Sequence, residues 1–506
     1  MLATKRIALD ALLAASLLSA SASAVVVPKA KCGAKDRVET ALQGQTSIAD
    51  RQSGASEQAY NCNLELVGQY QGEGANWQLA WQDDCAYFGT ANRTEQQHRG
   101  TVVVDASNPK NPQAIAFLDS LAMLNPWESL KANEARKLLA GAQQDGRANA
   151  FATYDLTDCK HPVLKGDVVL PDATGHAGNI APDGRTYYGG TSVNGTTLPF
   201  YAVDLIDPSK PTQILGWTPP DAVGRPHDLS ISDDGTRAYL AKRGFGPNST
   251  PNGLVILNVA DIHNRRANPQ ITVVSSLFWN TGANAQQTLP VTFRGKPHLI
   301  FTDENGSGGS QGKVVACNLG LPPFGYARIL DISDEANPKI VSELQLEVDD
   351  PANCPAVVND PNVGLGYSSH YCGVDSTRNP TILACAYYEA GLRVFDIRDP
   401  TQPKEIAYYK PPAQRKKLLP GSNLWSATAD RTTDGTATQV RVRSDRNEIW
   451  FVSQDNGFQI VRFTNGVGLA GRGSGCSSAG GSFGGLVALG LLLMLRRRKS
   501  PVSRVR

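Results

Sequence analysis

The chain has 506 residues, 19% of them charged and 41% hydrophobic, with a formal net charge of +2. Its ends carry the positive surplus: Lys5, Arg6 and six basic residues between Arg496 and Arg506 stand against Asp10, which leaves residues 25–475 at about −5. A mildly acidic body of about 450 residues excludes nucleic acid as its main partner and is far longer than one small core requires.

Residues 1–24 read as a secretory signal peptide. Lys5 and Arg6 begin it, an apolar run from Ala11 to Ala22 follows, and Ala22-Ser23-Ala24 supplies a small-x-small site with cleavage expected after Ala24. Residues 25–60 form an N-terminal extension. Nine cysteines are present, and setting Cys476 aside leaves Cys32, Cys62, Cys85, Cys159, Cys317, Cys354, Cys372 and Cys385. An even number suits disulfides in an exported protein, and no Cys-x-x-Cys pair points to zinc or thiol-redox chemistry. Spacing does not fix the connectivity. Two pairings are expected: Cys32–Cys62, tying down the extension, and Cys354–Cys372, closing a long loop.

Residues 61–465 are built on a repeat. A β-rich run, Asp-x-x-Asp/Asn, three residues and Pro recur as TVVVDASNPKNP (Asp105 to Pro112), FATYDLTDCKHP (Asp155 to Pro162) and FYAVDLIDPSKP (Asp204 to Pro211). The same pattern returns as ARILDISDEANP (Asp331 to Pro338) and LRVFDIRDPTQP (Asp396 to Pro403). A degenerate copy, LVILNVADIHNRRANP, has Asn258 first and four inserted residues before Pro269. Val, Ile, Phe and Tyr favour strand, the acidic side chains bond the backbone of the next turn, and Pro fixes φ before another strand starts. APDGRTYYGG and ISDDGTRAYLA each read as strand, Asp-Gly turn, strand. Every unit therefore offers four short antiparallel strands, the signature of a propeller blade. The motif resembles the LVIVD repeat, a family of bacterial propellers of largely unassigned function. That resemblance implies an all-β fold, and the count gives a β-propeller of seven four-stranded blades. The seventh blade is read from NLWSATAD, NEIWFVSQ and GFQIVRF, with NLELVGQY near the N-terminus as its outer strand, closing the ring.

Inner strands of successive blades converge on the channel, so residues at equivalent positions meet there. His176 and His227 each lie seven residues before an Asp-Gly turn, and His370 precedes Asp396 by 26 residues against 28 from His176 to Asp204. Three imidazoles at one mouth are expected either to line a wet channel or to hold a transition metal ion or an anion. Blade five offers Gln286 and Gln287 there, and blade seven Trp425-Ser426. Glu128, Glu134 and Glu389 are further candidates for the mouth, without assigned roles. The Asp-x-x-Asp/Asn turns lack the dense oxygen ligands of a calcium loop. Gln414 to Pro420, QRKKLLP, reads as a solvated basic loop.

Residues 466–482 form a Gly/Ser-rich neck carrying Cys476, and residues 483–506 form a transmembrane sorting helix with a basic cytoplasmic tail. Gly473 to Leu495 is 23 residues without a charge, about 34 Å as helix and long enough for a bilayer core. Arg496, Arg497, Arg498 and Lys499 follow and stay inside by the positive-inside rule. The Gly-Cys neck, short apolar helix and Arg cluster resemble the C-terminal sorting domains of myxobacterial surface proteins. That resemblance implies processing near Cys476 by an envelope sorting protease, attachment through the helix or a lipid on Cys476, and final placement at the outer membrane or cell surface.

No G-x-S-x-G, Walker or HExxH motif occurs. The favoured reading is a surface-anchored binding or scaffolding ectodomain for a protein, glycan or small molecule. The alternative is an extracytoplasmic enzyme or metal-binding protein using His176, His227 and His370, and a purely architectural envelope role is the third.

Overall fold

The computed structural model describes residues 26–468, apart from 73–76, 90–96, 145–148, 174, 191, 194, 195, 198, 199, 221, 222, 225, 248, 363, 364, 416–418 and 421–430. The expected signal peptide and its cleavage site after Ala24, Cys476 and the expected sorting helix lie outside the described residues. So do Trp425-Ser426, the NLWSATAD segment and part of QRKKLLP. Among the described residues no helix is long and apolar enough to cross a membrane.

The repeated turn does in space what its residues favour. In TVVVDASNPKNP, Asp105 accepts the Ser107 N–H and Asn108 accepts the Lys110 N–H, two successive Asx turns. The same pair recurs at Asp155/Asp158, Asp204/Asp207, Asp331/Asp334 and Asp396/Asp399. In each case the turn joins the third strand of a blade to the fourth. The degenerate copy instead inserts the short helix Ala260–His263. Asp-Gly turns join first strands to second: Gly235 has φ +74, and a Cβ there would stand 2.1 Å from the His263 ring.

Seven antiparallel blades result. Blade one is Ala80–Gln82, Cys85–Phe88, Thr101–Asp105 and Gln113–Leu118. Blade two is Lys131–Asn133, Leu138–Ala142, Ala150–Asp155 and Val163–Val169. Blade three is Gly178–Ile180, Thr186–Gly189, Phe200–Asp204 and Thr212–Trp217. Blade four is Pro226–Ile231, Arg237–Lys242, Asn252–Asn258 and Thr272–Trp279. Blade five is Ala283–Phe293, Lys296–Asn305, Ala327–Asp331 and Lys339–Leu344. Blade six is Ser369–Val374, Ile382–Tyr387, Gly391–Asp396 and Lys404–Lys410. Blade seven is Arg441–Arg443, Glu448–Ser453 and Gly457–Phe463, closed by Leu64–Tyr70 pairing with Gly457–Phe463 as the sequence predicts. Its described inner strand is Arg441–Arg443, downstream of the segment assigned to it from sequence. Tyr60–Cys62 adds a fifth strand to blade six, which no repeat announces.

The core is divided among the blade interfaces. One apolar cluster lies between each neighbouring pair, including Leu79, Phe88, Val104, Trp450 and Phe458 between blades seven and one. Four disulfides add covalent ties. Cys32–Cys62 is paired as expected, and Cys85–Cys159 joins blade one to the last turn of blade two. Cys354 pairs with Cys317, not with Cys372. The reason is register: Cys372 faces Cys385 directly across the first two strands of blade six, with Cα atoms 4.0 Å apart, and the two are bonded.

The extension is more than a leader. Lys410, at the end of blade six, donates to the carbonyls of Gly44 and Gln45. Burial pushes its ammonium down to about 7, against the pull of Glu39. Because this folded-state value lies below the unfolded one of about 10.4, the unfolded chain binds the extra proton between these limits. Stability is therefore expected to rise as pH rises from 7 to 9. Denaturant midpoints at pH 7, 8 and 9 should climb in the native protein and climb less in Lys410→Met; equal slopes would exclude Lys410 as the source.

Candidate metal centre

The inner strands of blades four, five and six each bulge near their N-terminal ends. Two residues, His227 and Asp228, fit between the pairs Pro226–Lys242 and Leu229–Leu240. His370 and Tyr371 do the same between Ser369–Tyr387 and Cys372–Cys385, and Gln286 between Ala285–Asp303 and Gln287–Thr302. A bulge re-aims side chains without ending the strand. In blades two and three, Glu128 and His176 lie just ahead of the inner strands, locked together by the Glu128 N–H donating to the His176 carbonyl.

Four of these side chains meet. His176 and His227 have their Nε2 atoms 2.9 Å apart, and Glu128 Oε2 lies 3.6 and 3.2 Å from them. Ligand atoms of Glu128, His176 and His227 all fall within 4.8 Å of one another. Two donors about 2.1 Å from one tetrahedral ion stand about 3.4 Å apart, so these spacings fit a shared cation. His370 stands on the other side of the carboxylate, its Nε2 3.2 Å from Glu128 Oε1 and 2.7 Å from Gln286 Nε2. The structure thus brings all three predicted histidines onto one glutamate, but only two of them into one ligand trio.

Each ring is held from behind. His227 Nδ1 faces the Gln286 carbonyl at 3.1 Å, and His370 Nδ1 faces the Ala437 carbonyl. These acceptors fix Nδ1–H and leave His227 Nε2 as a lone pair. His176 Nδ1 meets the Gln144 amide nitrogen at 3.1 Å, while the buried Gln144 Oε1 has no partner among the described residues. As placed, Gln144 donates to Nδ1, and one proton between the two Nε2 atoms satisfies the pair. Turned over, its oxygen takes an Nδ1–H and frees His176 Nε2 for an ion.

Burial favours neutral rings. It pushes His227 well below the ordinary imidazole value and pushes His176 down too, in both cases against the nearby Glu128 charge. Burial would raise the Glu128 carboxyl, but the charge of His227 when that ring is protonated, a hydrogen bond from His370 and the charge of His176 when protonated hold it well below the usual carboxylate range. Two neutral imidazoles and a carboxylate anion form a ligand set ready for a cation. Beneath it, Tyr371 donates to Glu128 Oε2 at 3.3 Å, and Lys131 lies 3.6 Å from Asp228. Trp77 and Trp127 cover it, with ring centroids 5.4 Å from His370 and 6.0 Å from His176. Trp127 has φ +48, a left-handed conformation that costs a bulky residue free energy, immediately before Glu128.

The other sequence candidates lie elsewhere. Glu389 forms a buried ion pair with Arg51 of the extension at 2.8 Å. Gln287 bridges to both backbone groups of Cys372. Glu134 lies at the opposite mouth of the channel. Sequence reading assigned no role to Glu128 and passed over Gln144, Trp77 and Trp127. A signal for two of them was present. Glu128 precedes Asp155 by 27 residues and Trp77 precedes Asp105 by 28, the spacing that singled out the histidines.

No protein-family model matches the sequence, and no curated protein does. Solved structures that match do so at low sequence identity. Hydrazine synthase of Kuenenia stuttgartiensis is 12% identical, with a TM-score of 0.48 over 79% of this chain and 97% of that one. The periplasmic gluconolactonase PpgL of Pseudomonas aeruginosa is 13% identical, with 0.44 over 69% and 96%. The Cps50 (Swd1) β-propeller domain of Myceliophteria thermophila is 11% identical, with 0.48 over 79% and 100%.

Proposed function

We propose that this chain is an exported, envelope-anchored β-propeller that holds a transition-metal ion on His176, His227 and Glu128. The observation that carries the metal reading is the trio itself: two backed imidazoles and a buried carboxylate with donor atoms at ligand spacing. A scaffold alone needs no such cluster. His370 lies against the second oxygen of Glu128, at the distance of an outer-shell partner in a metal site. Two histidines and one carboxylate form a donor set suited to Fe(II), and nitrogen–oxygen sites also take Zn(II) and Mn(II). A bound ion would supply Lewis acidity or, for iron, one-electron chemistry. Trp77 and Trp127 pack against His370 and His176, and Tyr371 places a hydroxyl on the ligating carboxylate.

Metal analysis of the purified full-length protein tests this. About one transition-metal ion per chain is expected, removable by chelation and restored by titration with Zn(II), Mn(II) or Fe(II) under reducing conditions. Failure to take up any of the three would overturn the reading.

Export is supported by the N-terminal signal and by four disulfides, which persist in oxidising compartments. Anchoring rests on the tail. Cys476→Ala is expected to release the protein or to trap it unprocessed in the inner membrane, read by fractionation and mass spectrometry. Unchanged surface display would reduce the tail to an ordinary membrane anchor.

A further inference from the structure

The channel has a second mouth, at the C-terminal ends of the inner strands. In blade two, Glu128, Lys131 and Glu134 step from the histidine cluster to this far end. A cavity of about 790 Å³ opens there, lined by Trp81, Asp83, Glu134, Gln439, Arg441 and Arg443 among others. Its volume lies within the range of about 300–1,000 Å³ typical of small-ligand sites.

The lining is an interlocked set of planar groups. Arg441 lies between two indoles, its guanidinium carbon 5.5 Å from the Trp81 ring and 4.7 Å from the Trp450 ring. It donates to the Asp83 carbonyl at 2.6 Å and to Glu134 Oε2 at 3.2 Å, while Trp81 Nε1 donates to Glu134 Oε1 at 2.9 Å. Arg443 and Arg446 both engage Asp84, at 2.9 and 2.7 Å. These contacts fix orientation before any ligand arrives, which lowers the ordering cost of binding.

Charge selects the ligand class. The lining holds three arginines against Asp83, Asp84, Glu134, Asp375 and Asp445. An anionic ligand would meet the surplus of carboxylates, and a cationic one would meet the three arginines, which already occupy Asp84, Glu134 and Asp445. Uncharged hydroxyls, by contrast, use what the pairs leave over. Asp83 is exposed, and its carboxylate makes no hydrogen bond or ion pair among the described residues. Gln439 accepts from Gln78 at 2.6 Å, and its own amide N–H groups make no hydrogen bond among the described residues. An indole edge with fixed donors and acceptors around it matches the mixed C–H and O–H faces of a sugar ring. We propose that this second mouth binds a neutral oligosaccharide, independently of the metal site.

Calorimetric titration of the full-length protein with maltotriose, cellotriose and chitotriose tests this, with trigalacturonate and chitosan trimer as the acidic and basic controls. At least one neutral trisaccharide is expected to bind more tightly than either control. Asp83→Ala and Trp81→Ala should each weaken it at least about tenfold, about 1.4 kcal/mol, without changing metal content. Asp83 has φ +47, so Asp83→Asn, which tolerates that left-handed turn and removes the charge, is the second variant where Asp83→Ala or Trp81→Ala fails to fold. Binding only by a charged control, binding by none of the five, or neutral binding undiminished in Asp83→Ala would each overturn the assignment.

Discussion

Replacing His227 by alanine should strip the protein of its metal, with affinity falling at least about a hundredfold. Loss of an outer-shell partner alone typically costs 10–100-fold in metal sites, and His227 is placed as a ligand. Its Nε2 lies 2.9 Å from His176 Nε2 and 3.2 Å from Glu128, and its Nδ1 is committed to the Gln286 carbonyl. His370→Ala and Gln144→Ala remove only groups that orient Glu128 and His176, so each should fall in the 10–100-fold range. Thermal unfolding gives a second readout. Metal at a hundred times its dissociation constant should stabilise the native protein by about 2.7 kcal/mol and leave His227→Ala unmoved. A loss in His370→Ala as deep as in His227→Ala would move His370 into the ligand trio, and metal retained by His227→Ala would place the ion elsewhere.

Why the sequence revealed the ring but not the trio follows from how each is encoded. A blade is local: strand, Asx turns and Asp-Gly turn all lie within one unit, so residues near Asp105 or Asp234 declare themselves. Closure by Leu64–Tyr70 was also legible, because blade seven visibly lacked an outer strand. The site, by contrast, is assembled across blades two, three, four and six. Counting back from the repeated Asp places a residue in the ring, but not on one side or the other of a carboxylate. His370 therefore looked equivalent to His176, although the geometry sets it on the opposite oxygen of Glu128. Glu128 itself sat at the right count but was not aligned with the histidines, because its residue type differs. Disulfide pairing was illegible for a similar reason: Cys372 and Cys385 declare themselves only once the register of blade six is known.

The extension hides the largest stability effect. Arg393, in the third strand of blade six, is fully buried and binds two carboxylates: Glu39 at 3.1 and 2.6 Å and Glu405 at 2.9 Å. Its carbon lies 4.5 Å from the Tyr408 ring, and its Nε donates to the Ala390 carbonyl. Arg393→Met would leave both carboxylates buried, with Lys410 at 3.8 Å the one cation left facing Glu39 among the described residues. Removing one partner of a buried ion pair costs about 3–5 kcal/mol, and that loss is expected in denaturant unfolding. The pH response should carry the same signature. Burial pushes Glu39 up, and Arg393 with Lys410 holds it below its usual value in the native protein. Without Arg393, burial prevails and the folded-state values of Glu39 and Glu405 rise above the unfolded value of about 4.3. The folded variant then binds protons that its unfolded chain does not, so its deficit should shrink as pH falls from 7 toward 5. The triple variant Arg393→Met, Glu39→Gln, Glu405→Gln should recover most of the loss, since neutral groups there leave no charge unpaired. A cost below about 1 kcal/mol for Arg393→Met, the scale of an exposed pair, would mean that water reaches these carboxylates and that the extension is not clamped by charge.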